Sequence, residues 1–405
     1  MTRCIVYIGD FDIRNENVQS HLVRNNGKIF NELNFHVEFI GINRNIHSFD
    51  DKQCNQIVQL DDGNSLFELP DTLNVGGLLK TLKVSRLIIS RLDFLSNTYD
   101  IESIITYQSP TFAVVLKRIA EWCNCNHIPY IVNCADLPIF DQQSFIRRIV
   151  MKNNWSMMHK INQEYASGII AVSKYIEDFY RKPNRHSVVI PPLFDSKNKN
   201  NNPTVKNEIP TFIYAGTPFK AKGQEIKPQG MKDRLDCIID MFLKVSQKGE
   251  KYIFNIVGIS KEEYISGVPR HADPLRKEER IQFMGRKSHA ETLNYVSLSD
   301  FSINYRDENI MTLAGYSTKI VESVSLGTPV VINDIGDTFR YLEQNVTGIK
   351  LSKDEAESVK IIAALCRMPV EERFELKEKC KSAEVFEWRK FVGLIDAFLT
   401  KIRQD

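Results

Sequence analysis

The segment 314–351, "AGYSTKIVESVSLGTPVVINDIGDTFRYLEQNVTGIKL", places polar and charged residues where a helix should begin. Ser317 or Thr318 can cap a helix over about residues 319–326, and Gly327 ends it. The apolar run that follows is typical of a buried strand. The start of a helix offers unpaired amides and a partial positive charge, and phosphate binds there readily.

Two charged residues of this helix could extend such a site. Lys319 adds a full positive charge, and Glu322, one turn further on, can accept hydrogen bonds from vicinal hydroxyls. One helix end could therefore hold the diphosphate and the ribose of a nucleotide. An ordinary capped helix with a surface ion pair explains the same residues, and the local pattern leaves both interpretations open.

The whole chain has the composition of a globular protein with more than one core. Its 405 residues suit two domains of roughly 200 residues each. Hydrophobic residues make up 42% and charged residues 26%. The net charge of +2 gives no global basic field, so we expect no nucleic-acid partner.

The cysteines and the N-terminus bear on the compartment. No two of the eight cysteines form a CxxC pair, and Cys123 and Cys125 are too close for a usual zinc knuckle. We expect reduced thiols and therefore a cytoplasmic protein. The start "MTRCIVYIGDFD" has no signal-peptide pattern, and no apolar run approaches the ~20 residues of a membrane span.

Short apolar runs alternate with helical patterns such as 111–125. This alternation predicts an α/β fold of two doubly wound, Rossmann-like domains that face each other across a cleft. The first strand is followed by no GxGxxG, which argues against a dinucleotide-binding enzyme. The predicted strands lie at 4–9, 35–41, 86–90, 101–107, 128–133, 167–172, 187–192, 211–216, 252–258, 281–285, 300–305, 328–334 and 347–351.

A polar, Asn- and Lys-rich segment at 195–210 interrupts this alternation and has almost nothing to bury. We therefore predict a first domain over 1–195, a linker over 196–208 and a second domain over 209–385. The final segment, 386–405, is predicted to be a helix that crosses back to the first domain.

The segment 317–351 resembles the donor-binding signature of GT-B glycosyltransferases of family 4, with the "glycosyl transferases group 1" C-terminal domain. Weaker matches extend the resemblance to roughly residues 165–395. The resemblance implies that the second domain binds a nucleotide sugar and the first binds the acceptor. The matching positions are Ser317, Lys319, Glu322, Gly327, Pro329, Val330, Val331, Asp334, Gly336, Thr347 and Gly348.

The resemblance also implies which residues contact the donor. A basic residue on the loop after the first strand of the domain would bind the diphosphate. Lys232 is our choice for it, with Lys220 and Lys222 as competitors. The loop containing Gly285 and Arg286 would help to seat the base. The expected donor-binding residues are Gly216, Lys232, Gly285, Arg286, Arg306, Thr318, Lys319 and Glu322.

The family signature contains two glutamates eight positions apart, and this chain keeps only the second, Glu322. The first falls at Ala314, which leaves the donor sugar without its usual acceptor. We predict that Asp307 replaces it, with Glu308 as second choice, because both follow the strand "DFSINY" at a carboxyl end, where ligands bind. Arg306 could steady the carboxylate or a phosphate.

The first domain gives fewer indications of function. Many family members carry a histidine and an aspartate after a strand here, and "YIVNCADLPIFD" offers Asp136 but has Ala135 where the histidine would stand. Asp136 is therefore a candidate catalytic residue, with an ordinary turn aspartate as the alternative. The segment 144–161 mixes apolar and basic residues, which fits either a helix on an anionic membrane or a buried helix with a basic face.

The resemblance implies a retaining glycosyltransferase that moves a sugar from a nucleoside-diphosphate sugar to a glycan or lipid-linked glycan, in bacterial surface polysaccharide synthesis. We expect no cofactor and no obligatory metal, because no DxD stands in the matched region. The expected location is cytoplasmic, with contact at the inner face of the membrane if 144–161 binds lipid. The alternatives are a non-catalytic nucleotide- or glycan-binding protein on a degenerate transferase scaffold, and a GT-B nucleotide-sugar epimerase.

Overall fold

The computed structural model describes residues 1–15, 17–49, 56–60, 62–71, 78–138, 145–195, 204–219, 225–231 and 233–404. The chain divides into two compact units. The N-terminal unit comprises Met1–Leu193 and Trp388–Asp405, and the C-terminal unit comprises Phe194–Glu387. Most of the predicted linker lies outside the described residues.

The N-terminal unit is built on one sheet of eight strands in the order β3-β4-β2-β1-β5-β6-β7-β8. All neighbours are parallel except β3 and β4, which are antiparallel. The central strands are buried and rich in apolar residues, as expected for a sheet covered on both faces. The strands are β1 (Arg3–Gly9), β2 (His36–Asn43), β3 (Ile57–Gln59), β4 (Ser65–Pro70), β5 (Asp100–Tyr107), β6 (Tyr130–Cys134), β7 (Gly168–Ala171) and β8 (His186–Val189).

The helices of this unit follow the predicted alternation with one correction. The run 86–90, predicted as a strand, lies inside a long helix, because its apolar residues continue a helical spacing on both sides. Strands β3 and β4 were not predicted. The helices of this part of the chain are α1 (Val18–Glu32), α2 (Leu78–Thr98), α3 (Ala113–Cys125), α4 (Phe145–Tyr165) and α5 (Lys174–Phe179).

The C-terminal unit has one parallel sheet of six strands in the order β11-β10-β9-β12-β13-β14. The chain runs outward from β9 to β11, then returns to the other side of β9 with β12. The strand order therefore reverses between β9 and β12, and in open α/β sheets such a switch point is where ligands bind. The strands are β9 (Thr211–Ala215), β10 (Ile253–Val257), β11 (Ile281–Gly285), β12 (Phe301–Ile303), β13 (Val330–Asn333) and β14 (Gly348–Leu351).

Helices cover both faces of this sheet. One face packs around Phe212, Phe242 and Phe301, and the other buries Ile213 and Val257. The helices of this unit are α6 (Leu235–Gln247), α7 (Lys261–Gly267), α8 (Ala272–Lys277), α9 (His289–Leu298), α10 (Ile310–Ala314), α11 (Thr318–Ser325), α12 (Thr338–Tyr341), α13 (Glu355–Arg367) and α14 (Val370–Ala383).

After the C-terminal unit the chain returns to the N-terminal one. A 3₁₀ turn over Trp388–Phe391 leads into α15 (Val392–Gln404). This helix packs so closely on the sheet that a Cβ at Gly168 would lie 2.5 Å from Ile402 Cδ1 and 2.6 Å from Phe398 Cζ. Residues on β7 and on α15 therefore share one core, although more than 200 positions separate them.

Candidate functional site

The side chain of Lys319 crosses the carboxyl edge of the second sheet at its switch point. Lys319 is the second residue of α11, and its ammonium forms an ion pair with Asp233, just ahead of α6. Lys319 Nζ also donates to the Tyr214 hydroxyl at 3.3 Å and lies 4.6 Å from the centre of that ring. The lysine proposed from sequence is thus held in a fixed place between β9 and its neighbours.

Gly216 makes room for this lysine, and Gly258 makes room for the backbone of Gly216. Gly216 directly follows β9 with φ +149°, and a Cβ there would lie 2.1 Å from Lys319 Nζ. Gly258 follows β10 with φ +115°, and a Cβ there would lie 2.5 Å from the Gly216 carbonyl oxygen. Both positions require glycine on two counts, the backbone conformation and the space. Gly216 therefore shapes the site through the path of Lys319.

Asp233 forms ion pairs with both cationic side chains of the site, Arg306 and Lys319. Its Oδ1 accepts from Arg306 Nε at 2.8 Å, and its Oδ2 accepts from the Tyr214 hydroxyl at 3.2 Å as well as from Lys319. Asp233 is only 1% exposed. Burial alone would raise the pKa of the Asp233 carboxyl, but the charges of Lys319 and Arg306 outweigh it and hold that pKa well below its usual range.

Arg306 lies on the loop after β12 and is itself buried. Its backbone is clamped by Asn333 at the end of β13. The Arg306 amide donates to Asn333 Oδ1 at 2.9 Å, and Asn333 Nδ2 donates to the Arg306 carbonyl at 2.8 Å. The loop that carries the predicted arginine is therefore fixed to the next strand.

The start of α11 provides a further positive element. Ser317 occupies the N-cap position, as predicted, but its side chain makes no capping hydrogen bond. No acidic residue lies in the first turn of the helix. Thr318 is the first helical residue, so its amide and that of Lys319 belong to the turn where an anion is favoured.

Glu322 lies one turn into α11 and is partly buried. Its Oε1 is 3.8 Å from Nε2 of His289, at the start of α9. Burial raises the pKa of the Glu322 carboxyl above its usual value, and the nearby charges of His289 and Lys319 offset this only in part. A carboxylate in this position can accept hydrogen bonds from hydroxyl groups.

Asp307, predicted to contact the donor sugar, is adjacent to Arg306 and paired with a second arginine. Arg234 Nη1 donates to Asp307 Oδ2 at 2.6 Å, and the same guanidinium holds the buried Asp236 at 2.9 Å. The Asp307 side chain is 46% exposed, so one side of it faces solvent. Glu308 is more exposed, and its carboxylate lies 4.0 Å from the Lys353 ammonium.

The remaining donor-binding predictions lie around these residues or outside the described ones. Gly285 ends β11 with φ +66°, and Arg286 beside it pairs with Glu263 at 2.8 Å. Lys232 and its competitors Lys220 and Lys222 lie outside the described residues. The assignment of the diphosphate contact to Lys232 therefore stays a prediction.

The predictions for the N-terminal unit concern separate places. Asp136 follows β6 and is exposed, and its charge contributes to the raised pKa values of Tyr107 and Cys134, after the larger effect of burial. In α4 the first half exposes four apolar side chains, whereas Met158 and Ile161 are buried. No helix in the described part of the chain is long and apolar enough to cross a membrane.

Sequence reasoning missed the residues that organise the site. Asp233 directly follows Lys232, and Tyr214 and Asn333 lie in predicted strands, but none of the three was predicted to belong to a site. Nothing in the local pattern distinguishes them. Asp233 pairs with Arg306, 73 positions away, and Tyr214 with Lys319, 105 positions away, although Asp233 and Tyr214 are themselves 19 positions apart. Among the residues that the structure describes, no group of His, Cys, Asp and Glu is arranged to hold a metal ion. The seven described cysteines are free.

Solved structures resemble the whole chain. Sucrose-phosphate synthase from Thermosynechococcus elongatus superposes with a TM-score of 0.62 at 14% identity, covering 99% of both chains. HepE from Anabaena, in complex with UDP and glucose, gives 0.60 at 14% identity, covering 98% of this chain and 99% of its own. A glycosyltransferase from Rickettsia africae gives 0.65 at 12% identity, covering 100% and 99%. Two Rossmann-like units with a polar site at a sheet switch point thus form a GT-B fold.

A sequence comparison finds a family match for part of the C-terminal unit. Residues 228–368, which include Asp233, Arg306, Lys319 and Glu322, match the family described as glycosyl transferases group 1. The C-terminal unit of the chain therefore carries a domain similar to the glycosyl transferases group 1 family. No curated protein sequence matches it significantly.

Proposed function

We propose that the protein is a retaining glycosyltransferase that transfers a sugar from a nucleoside-diphosphate sugar to a glycan or lipid-linked glycan. The observation that carries the proposal is the convergence of Lys319, Arg306 and the start of α11 at the switch point of the second sheet. Three positive elements at one strand edge suit a diphosphate. HepE, which has the same fold, is a protein crystallised with UDP and with UDP-glucose.

The chemistry follows from where charge develops. As the bond between the sugar and the diphosphate breaks, negative charge grows on the departing diphosphate and positive charge on the sugar ring. Lys319 and the α11 amides stabilise the negative charge on the diphosphate, because they are already in place before the reaction begins. Asp307 accepts hydrogen bonds from the sugar hydroxyls in the place of the glutamate missing at Ala314, and Glu322 holds the ribose.

In this proposal the N-terminal unit binds the acceptor, with Asp136 as a candidate to assist the acceptor hydroxyl. Asp136 follows a parallel strand at its carboxyl end, the edge of a sheet where ligands bind. Its exposure keeps the carboxylate accessible to a substrate. By resemblance to the family, the product belongs to bacterial surface polysaccharide and keeps the anomeric configuration of the donor.

A thermal-shift screen of the full chain against UDP-, GDP-, ADP- and dTDP-sugars tests the donor. A ligand at 100 times its dissociation constant adds about 2.7 kcal/mol to folded-state stability. The donor that binds is then incubated with and without glycan acceptors. Slow hydrolysis without acceptor and glycoside formation with it support a transferase. An altered sugar indicates an epimerase, and binding without any turnover indicates a non-catalytic binder.

We further propose that the first half of α4 contacts an anionic membrane surface, where a lipid-linked acceptor would be found. Phe145, Ile146, Ile149 and Val150 are 45% to 76% exposed, and basic side chains are interspersed with them in "FIRRIVMK". An exposed apolar strip with adjacent positive charge suits lipid headgroups and the acyl boundary beneath them.

Liposome sedimentation tests this contact. The protein should sediment with anionic vesicles and be released at high salt, and replacing Phe145 and Ile149 by Ser should abolish sedimentation. Leu79→Ser is the matched control, because Leu79 is a 78% exposed apolar residue on a different helix, α2. Equal binding to neutral and anionic vesicles, or no binding to either, would contradict the proposal.

A further inference from the structure

Asp233 is the buried centre of the donor site, although it is a carboxylate in a place proposed to receive a diphosphate. Its two oxygens accept hydrogen bonds from Arg306 Nε at 2.8 Å, from the Tyr214 hydroxyl at 3.2 Å and from the Lys319 ammonium. The three donors come from three different elements: the end of β9, the loop after β12 and the first turn of α11. One side chain thus ties together the loops on both sides of the switch point.

The charges around Asp233 do not cancel. Two cations share one carboxylate, so the cluster retains one net positive charge. The Asp233 side chain is 2% exposed and the Lys319 side chain 24% exposed, so the lysine is the member of this pair that is partly open to solvent. The carboxylate therefore lies on the protein side of the lysine, where it can fix the ammonium without occupying the space of the ligand.

Flexible side chains lose conformational freedom when they bind a ligand, and lysine is among those that lose most. A lysine already held by Asp233 and Tyr214 has given up that freedom in folding, which is the arrangement expected of a preorganised electrostatic site. We propose, on the basis of the function proposed above, that Asp233 is a positioning residue, which fixes Lys319 and Arg306 for the diphosphate and does not itself touch the donor.

The competing possibility is that Asp233 merely competes with phosphate for Lys319. The two make opposite predictions for Asp233→Asn, which keeps the size and removes the charge. A positioning carboxylate implies weaker diphosphate binding in this variant, by about 10-fold or more, and a loss of turnover of about 100-fold, because small misplacements of binding groups are costly. A competing carboxylate implies equal or tighter diphosphate binding.

The experiment measures binding of inorganic pyrophosphate and of UDP, GDP, ADP and dTDP to the full chain, wild type and Asp233→Asn, by calorimetry. The matched control is Asp300→Asn. Asp300 is also buried and also pairs with an arginine, Arg373, but it precedes β12 and so lies at the opposite edge of the same sheet. Asp300→Asn should lower the melting temperature and leave the affinity for each of these ligands unchanged.

A double-mutant cycle separates positioning from a general loss of structure. If Asp233 acts through Lys319, the effect of Asp233→Asn on diphosphate affinity should be clearly smaller in a Lys319→Met background than in the wild type. Equal effects in both backgrounds, or equal or tighter binding by Asp233→Asn alone, would overturn the assignment. If the wild type binds neither pyrophosphate nor any of the four nucleotides, the proposed function fails and the assignment fails with it. Wild-type binding that Asp233→Asn leaves intact refutes only the positioning role.

Discussion

Asn333 and Arg306 exchange two hydrogen bonds across neighbouring strand ends, one in each direction between the asparagine amide and the arginine backbone. The amide group of Asn333 thus replaces the ladder that β12 and β13 no longer continue. These hydrogen bonds fix the start of the loop after β12, which carries Arg306 and Asp307. Both of these side chains belong to the proposed donor site.

Asn333→Ala should therefore weaken both stability and donor binding. Two buried hydrogen bonds are lost and two backbone groups are left unpaired, which costs about 2 kcal/mol in the free energy of unfolding. Nucleotide-sugar affinity should fall, because Arg306 is no longer fixed. Asn333→Asp keeps the acceptor for the Arg306 amide, so its stability and donor affinity should lie between those of the wild type and of Asn333→Ala. Urea denaturation and calorimetry measure the effects, and an Asn333→Ala protein with wild-type affinity would contradict this role of the loop.

Gly216→Ala should displace Lys319. The new Cβ would lie 2.1 Å from the ammonium, and the long side chain gives way more easily than the backbone. We expect donor affinity to fall by more than the change in stability explains. Gly249→Ala is the control, since Gly249 also has a positive φ, +78°, but has no atom within 4 Å of the added Cβ. Each variant should cost about 1–3 kcal/mol of backbone strain, and only Gly216→Ala should impair binding.

Asp307→Asn should reduce turnover by about 100-fold and leave binding of the free nucleoside diphosphate intact, because the only donor contact proposed for Asp307 is to the sugar. The variant also weakens the ion pair between Asp307 and Arg234. Glu322→Gln should instead weaken binding of the free nucleotide. Steady-state kinetics and calorimetry on the same preparations separate the two effects. A fully active Asp307→Asn would make Glu308 the next residue to test. If no variant of Asp307, Glu308 or Glu322 matters, the non-catalytic interpretation is the better one.

The pH dependence of stability should reveal a buried lysine far from this site. Lys377 is 2% exposed and donates to the Ser297 and Ser299 carbonyls, and burial lowers its pKa from 10.5 to about 8. In the unfolded chain this lysine keeps its usual pKa, so between pH 8 and 10.5 the unfolded chain binds more protons than the folded one. The free energy of unfolding should therefore rise with pH over that window, by up to about 3 kcal/mol. Lys377→Met should lack this contribution. Identical slopes of unfolding free energy against pH in both proteins would contradict it.

Most strands were predicted from their apolar runs, but β4 was missed although all six of its residues are buried. The parallel strands at 4–9, 211–216 and 281–285 were predicted within a residue of their ends. The run 86–90 was wrongly predicted as a strand, because a short apolar stretch has the same composition in a buried strand and on a buried helix face. Strand β3 was missed because its three residues are largely exposed and show no periodicity.

The candidate site was predictable to the extent that it follows from local pattern. Lys319, Glu322 and Gly216 stand next to turns and helix starts, which the sequence marks. The two cationic partners of Asp233, Arg306 and Lys319, lie 73 and 86 positions away, and they meet it because β12 returns beside β9. A single sequence does not encode that return in any local pattern, so the centre of the site emerged only with the strand order.

The return of α15 to the N-terminal unit has a consequence for synthesis. During translation the eight-stranded sheet emerges first, but the helix that buries Gly168 against Phe398 and Ile402 follows only after the entire C-terminal unit. The N-terminal unit must wait on the ribosome with an apolar surface uncovered, while the C-terminal unit, which is continuous in the chain, can complete its own core. A premature stop codon shortly after residue 387 should therefore damage the half of the protein that was made first, and chaperone dependence should be greatest there.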